Sequence, residues 1–144
     1  MKLELKHLSP YLPYGLEAVI RLREDSSLPI DDECIVKITC FEVAYLDSEY
    51  DEFRPILRPL SDLTKEIEVN GEKFTPIMVL ELDSHTLSIN KYSNHLEIKG
   101  VESNEWTYAI DVYTEIMCNL FEWHFDVFGL IEKGLAIDIN TLKK

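Results

Sequence analysis

Between residues 104 and 124, apolar side chains return every three or four positions. Trp106, Ala109, Ile110, Tyr113, Ile116, Met117 and Leu120 share one side, with Trp123 or His124 next in line. That period is the buried stripe of an α-helix, and it is the clearest periodic element in the chain. Ser103 stands where an N-cap belongs, and Glu105 falls in the first turn, where a carboxylate meets the positive end of the helix dipole. Glu105, Asp111, Glu115, Asn119 and Glu122 occupy much of the other side, while Val112 and Phe121 widen the apolar stripe. A helix of this kind needs a surface to lie on, and the expectation is that it packs across a β-sheet.

The strands for that sheet are read from alternation and β-branched content. "KLELKHL" (2–8) alternates and predicts a short half-buried strand. "SPYLPYG" follows, with Pro10 and Pro13 fixing φ twice, and predicts a stiff loop. "LEAVIRLRE" (16–24) extends as a second strand, although its alanine and charges also permit helix. "CIVKITCFEVAYL" (34–46) is the strongest strand candidate; its apolar phase flips near residue 40, which calls for a bulge or burial on both faces. The acidic stretch 47–53 reads as loop, and Pro55 and Pro59 argue against a central strand after it. Ser61 is placed to cap a short helix over "DLTKEI", and Asn70-Gly71 is a turn signal. "FTPIMVLEL" (74–82) is too short to divide between strand and helix. Residues 85–100 read as a hairpin turning at Ser93-Asn94, with Leu87, Ile89, Leu96 and Ile98 on one face. Asp126 can cap a second short helix that Gly134 ends, and the tail alternates briefly.

The sum is an α+β fold. A mostly antiparallel sheet is packed by a long C-terminal helix, about 104–124, with short additional helices. The length of 144 residues fits a single globular domain over 1–144.

Charge narrows the partners. Fourteen basic residues against 27 acidic ones leave a formal charge of −13. Direct nucleic-acid binding needs a basic face that displaces counterions from phosphate, so none is expected. An acidic chain can instead imitate DNA. No segment approaches the ~20 apolar residues of a membrane span, and no signal peptide opens the chain, so no membrane association and a cytoplasmic location are expected. Cys34, Cys40 and Cys118 make an odd number. On one extended strand Cys34 and Cys40 would lie about 20 Å apart, too far to bridge, which fits free thiols in a reducing compartment.

Chemistry-bearing residues are sparse. "WHFD" brings His124 and Asp126 within two positions, and Cys118 precedes His124 by six. On a helix His124 and Asp126 point about 200° apart, and Cys118 does not align with His124, so packing and capping are their ordinary roles. They are the weak catalytic candidates. No metal-ligand pair, nucleophile motif or phosphate loop is present, and no cofactor or metal is expected. "DSEYDE" lacks the glycine and register of a calcium loop. Arg54 and Arg58 flank "PIL" beside the acidic run 47–52; they either neutralise it or bind a phosphate or carboxylate. With Tyr11, Tyr14 and Tyr50 they form the candidate partner-binding set, because tyrosine-rich loops often carry protein contacts.

"MKLELKHLSPYLPYGL", "FRPILRPLSDLTKEIEVNGEKFTPI" and "WHFDVFGLIEKGLAIDINTL" together resemble a family of small uncharacterised proteins of prophages and mobile elements in Bacteroidetes. The resemblance implies a bacterial cytoplasm and an accessory role, with no assigned activity or catalytic residues. The expectation is therefore a non-enzymatic protein that acts by binding another protein, its identity and its own oligomeric state being open. An acidic DNA mimic that inhibits a DNA-binding protein or nuclease is the first alternative, and a small enzyme using His124 and Asp126 is the second.

Overall fold

The computed structural model describes residues 2–22, 33–39, 43, 50–80, 86–89, 96–99 and 106–142. The architecture is mixed α+β, and its larger sheet is mostly antiparallel. That sheet holds β1 (Glu17–Leu22), β2 (Cys34–Lys37), β3 (Tyr50–Leu57) and β8 (Ile137–Asp138) in the order β2-β1-β3-β8. β1 pairs antiparallel with both β2 and β3, whereas β3 and β8 run parallel. Two hairpins complete the strands: β4 (Ile67–Val69) with β5 (Glu72–Phe74), and β6 (Thr86–Ile89) with β7 (Leu96–Lys99).

The segment 2–8 is not a strand. Leu5–Leu8 forms one helical turn that runs into a 3-10 helix over Ser9–Tyr14. The backbone N–H of Glu4 donates to Nδ1 of His7 at 3.0 Å, and the N–H of His7 donates back to the Glu4 carbonyl. Those bonds close the turn. Adjacent His7 and Leu8 are both buried while Leu5 faces out, a helical phase that seven residues of apparent alternation conceal. Gly15 ends the 3-10 helix at φ +68°, a left-handed position that glycine takes without a Cβ clash.

β1 is a strand, as its β-branched content suggests, and Ala18, Val19 and Ile20 are buried in sequence because it is central. β2 alternates, with Cys34 and Val36 turned inward and Ile35 outward. It sits at the sheet's edge; residues 40–46, where the phase flips, lie outside the described residues except for buried Val43. β3 begins at Tyr50, inside the stretch expected to be loop, and it holds Pro55 although it lies between two strands. The reason is the length of β8, which pairs only with Ile56 and Leu57. Up to Pro55, β3 has a described neighbour on one side alone, where a missing donor is tolerated.

Ser61 is not a cap. The short helix there is a 3-10 turn, Leu60–Thr64, entered from Pro59 without a side-chain cap. Asn70 and Gly71, both at positive φ, make the two-residue turn of the β4–β5 hairpin. The undecided segment after it is helical at Pro76–Leu80. In the second hairpin Leu87 pairs with Ile98 and Ile89 with Leu96; its turn at Ser93-Asn94 lies outside the described residues.

The helix expected over 104–124 runs from Trp106 to Glu122, seventeen residues. Ser103 and Glu105 lie outside the described residues. This helix is not the last of the chain, which ends in a short turn over Ile139–Leu142. Among the described residues its most extensive contact is with the 3-10 helix Ser9–Tyr14, not with the larger sheet. Ile116 and Leu120 enter a core with Leu60, Leu63, Ile67, Leu80, Trp123 and Phe125. Phe121 faces the other way and packs against a second core of Leu8, Tyr11, Leu16, the inward side of β1, and Leu130. The helix is a partition between two apolar clusters, which explains why its stripe is wide. Tyr113 is outward and exposed, although its spacing places it with the stripe.

Candidate functional site

His124 and Asp126 stand where the long helix stops. The N–H of Phe125 donates to the Leu120 carbonyl at 2.8 Å, and that of His124 to the Phe121 carbonyl at 3.1 Å. This bond pair is the Schellman stop, with His124 at the left-handed position (φ +59°) that glycine usually takes. Leu120 and Phe125 make its usual apolar contact within one core. The His124 ring is held by a 2.9 Å hydrogen bond between Nε2 and the Tyr14 carbonyl. A carbonyl only accepts, so Nε2 carries the proton. Burial pushes the imidazole below its usual value, and the Arg58 charge adds to this; the Tyr14 bond and Glu17 oppose it.

Asp126 directs both carboxylate oxygens to backbone. Oδ1 accepts from the Leu130 N–H at 2.8 Å and Oδ2 from the Ile131 N–H at 2.9 Å. Burial pushes its carboxyl above the usual range against the pull of those donors. Asp126 does cap, and Gly134 at φ +70° does end the segment, but what lies between is a succession of turns, not a helix. Cys118 is exposed on the long helix. His124 and Asp126 have separate side-chain partners, the Tyr14 carbonyl for one and the Leu130 and Ile131 N–H groups for the other.

The partner-binding candidates divide as sharply. Tyr11 has no exposed surface: its hydroxyl donates to the Phe125 carbonyl at 2.6 Å and accepts from the Val127 N–H at 3.3 Å. Burial pushes its phenol far above the usual value. Tyr50 is also buried, tilted against Phe53. Neither offers a partner its ring. Tyr14 is exposed. Arg54 neutralises the acidic run, pairing with Glu52, which Arg21 also approaches at 3.7 Å.

Arg58 behaves differently. It follows β3, and its backbone is locked on both sides: its N–H donates to the His124 carbonyl, and its carbonyl accepts from the Asp126 N–H, each at 2.8 Å. The residue is only 6% exposed. Its Cζ lies 6.0 Å from the centre of the Phe125 ring, and its Nε is buried without a hydrogen-bond partner. Burial pulls the guanidinium below its usual value, opposed by the charges of Asp62 and Asp138.

Arg58 lines a cavity of about 290 Å³. Asp62, also on its wall, is nearly inaccessible and fully engaged: Oδ1 accepts from Lys65 Nζ at 2.9 Å and Oδ2 from Asn140 Nδ2 at 2.7 Å. Burial would raise the Asp62 carboxyl, but the Asn140 and Lys65 bonds and the Lys65 and Arg58 charges outweigh it and hold it below the usual range. Glu66, Glu68 and Lys73 also line it. Sequence reasoning found Arg58 as an anion candidate but missed the pocket. The i,i+3 pair Asp62 and Lys65 was a usable signal; nothing local pointed to Asn140, which the parallel β3–β8 pairing brings in from 78 residues away.

Among the described residues no three His, Cys, Asp or Glu side chains gather as metal ligands do, and no helix is long and apolar enough to cross a membrane. No protein-family model, no curated protein and no solved structure matches the chain.

Proposed function

We propose that this chain works by binding another protein rather than by transforming a substrate. The reading includes the cytoplasmic accessory role, in a prophage or mobile element, that the sequence resemblance implies. One observation carries it: Arg58 is almost fully buried on the wall of an open polar cavity, its backbone fixed by two hydrogen bonds and its Nε without a hydrogen-bond partner. A buried donor without a hydrogen-bond partner is unfavourable. The charges of Asp62 and Asp138 act on the guanidinium, but both Asp62 oxygens are already bonded to Lys65 and Asn140. A partner that inserts an anionic group completes the site. The reactive candidates support the same reading, since His124 and Asp126 serve the helix stop and the turn after it.

The test is capture from bacterial lysate with a photo-cross-linker placed at the exposed lining residue Lys73, comparing the wild type with Arg58→Gln. The wild type is expected to trap a specific protein that the variant loses. Equal capture by both contradicts the reading. A partner that Arg58→Gln retains but moderate salt releases points instead to an acidic surface acting as a DNA mimic.

A further inference from the structure

Among the described residues, β2 leaves one edge of the larger sheet open. Its backbone phase decides which groups that edge presents. The Ile38 N–H donates to the Leu16 carbonyl at 2.8 Å, so Ile38 turns its polar groups toward β1. Along an antiparallel strand the N–H and C=O of successive residues point to alternate sides. Val36 and Cys34 therefore also face β1, while Glu33, Ile35 and Lys37 direct their backbone groups away from it. The same three residues carry the exposed side chains, and Cys34 and Val36 pack against the core. Ile35 is 55% exposed, an apolar side chain in the middle of an edge.

The order of these residues complements itself. Two β2 strands can run antiparallel about a two-fold axis with Ile35 opposite Ile35 of the second copy. Glu33 then lies opposite Lys37 of the second copy, and the symmetry repeats that pair on the other side of the axis. Outward backbone groups meet outward groups at all three positions, and each such pair exchanges two hydrogen bonds. A slip of one residue sets outward groups against groups already used by β1. A slip of two sets Glu33 or Lys37 against Ile35. A lysine on a sheet edge ordinarily deters pairing; in the centred register it has a carboxylate to meet.

We propose that β2 is the interface of a two-fold homodimer, in which Glu33, Ile35 and Lys37 of one copy meet Lys37, Ile35 and Glu33 of another and the larger sheet continues across both. This surface is separate from the Arg58 cavity and goes beyond the partner binding proposed above.

The experiment is sedimentation velocity on the intact chain from about 1 to 500 μM in about 150 mM salt, where repulsion between two acidic copies reaches only about 8 Å. A strand edge this short is expected to give a dissociation constant of about 10–100 μM. Glu33→Lys sets lysine against lysine on both sides of the axis, and Lys37→Glu sets glutamate against glutamate. Each variant alone is expected to weaken the dimer at least about tenfold. Mixed, the two variants are expected to pair with each other about as well as the wild type pairs with itself, because both opposite-charge contacts return. A wild type that stays monomeric, single variants that dimerise as tightly as the wild type, or a mixture that stays monomeric overturns the proposal. Lys37 also neighbours Glu17 of β1, so the folding of Lys37→Glu is checked by circular dichroism. If that variant fails to fold, amide exchange of the wild type decides. Exchange at Ile35 and Lys37 is expected to slow as concentration rises while that at Val36 stays the same, and exchange independent of concentration at Ile35 and Lys37 overturns the dimer.

Discussion

Tyr11 and Phe125 lie 114 residues apart and are joined by a 2.6 Å hydrogen bond from the tyrosine hydroxyl to the phenylalanine carbonyl. That bond ties the N-terminal 3-10 helix to the chain just past the long helix, and the same hydroxyl accepts from Val127. Around it Phe121 meets the Tyr11 ring edge-on at 5.0 Å. The carbonyl that Tyr11 holds belongs to the residue whose ring lies beside the Arg58 guanidinium, so the core clamp and the cavity wall share Phe125.

Tyr11→Phe should therefore be more disruptive than a surface hydroxyl deletion. It removes two hydrogen bonds, while the Phe125 carbonyl and the Val127 N–H keep their bond to each other, and a loss of about 0.5–1.5 kcal/mol is expected. Urea unfolding of the two proteins measures it; a difference below about 0.5 kcal/mol would show that water or a backbone shift replaces the hydroxyl.

Asp126→Ala removes two backbone hydrogen bonds at once. A destabilisation of about 1–2 kcal/mol is expected, and Asp126→Asn, which keeps one acceptor, should lose less. Amide exchange at Leu130 and Ile131 should accelerate in both variants, most in the alanine one. Unchanged exchange would mean that the carboxylate does not hold that turn.

His124 gives the fold a pH dependence of definite sign. Its folded-state value lies below the ordinary 6.5. Below about 6.5 the unfolded chain takes up the proton first, so stability is complete above that value and falls as the solution is acidified, until the folded imidazole also protonates. His124→Gly should remove this slope. At neutral pH it should be nearly neutral, because relief of the left-handed strain, about 1 kcal/mol, offsets loss of the Tyr14 bond, also about 1 kcal/mol. A slope that persists between pH 6.5 and 5 in the variant would assign it to another group.

What the sequence made legible was local. Asn70-Gly71 announces its own turn, and the Trp106–Glu122 helix carries enough periods to be unmistakable. Asp126 and Gly134 were readable as a start and a stop, though not as bounding turns instead of a helix. Short segments misled: Leu3 and Leu5 alternate with charged residues, yet burial of His7 and Leu8 decides for helix. Pro55 argued against a central strand, yet β3 holds it and lies between β1 and β8, because β8 reaches only Ile56 and Leu57. Tyr11 looked like a surface tyrosine because nothing nearby shows that Phe125 and Val127 will take its hydroxyl. The cavity was out of reach for the same reason, since Asn140 joins Asp62 only through tertiary pairing.

The central claim is that Arg58 keeps its charge for a ligand and not for the fold. Urea unfolding of Arg58→Met without ligand tests it most directly, since methionine keeps an apolar stem and leaves the backbone bonds to His124 and Asp126 available. Removing a buried guanidinium whose Nε has no hydrogen-bond partner should leave the protein equally stable or up to about 2 kcal/mol more stable, after allowing about 0.5–1 kcal/mol for the lost contact with Phe125. Destabilisation by more than about 2 kcal/mol would contradict the account and make Arg58 a structural residue.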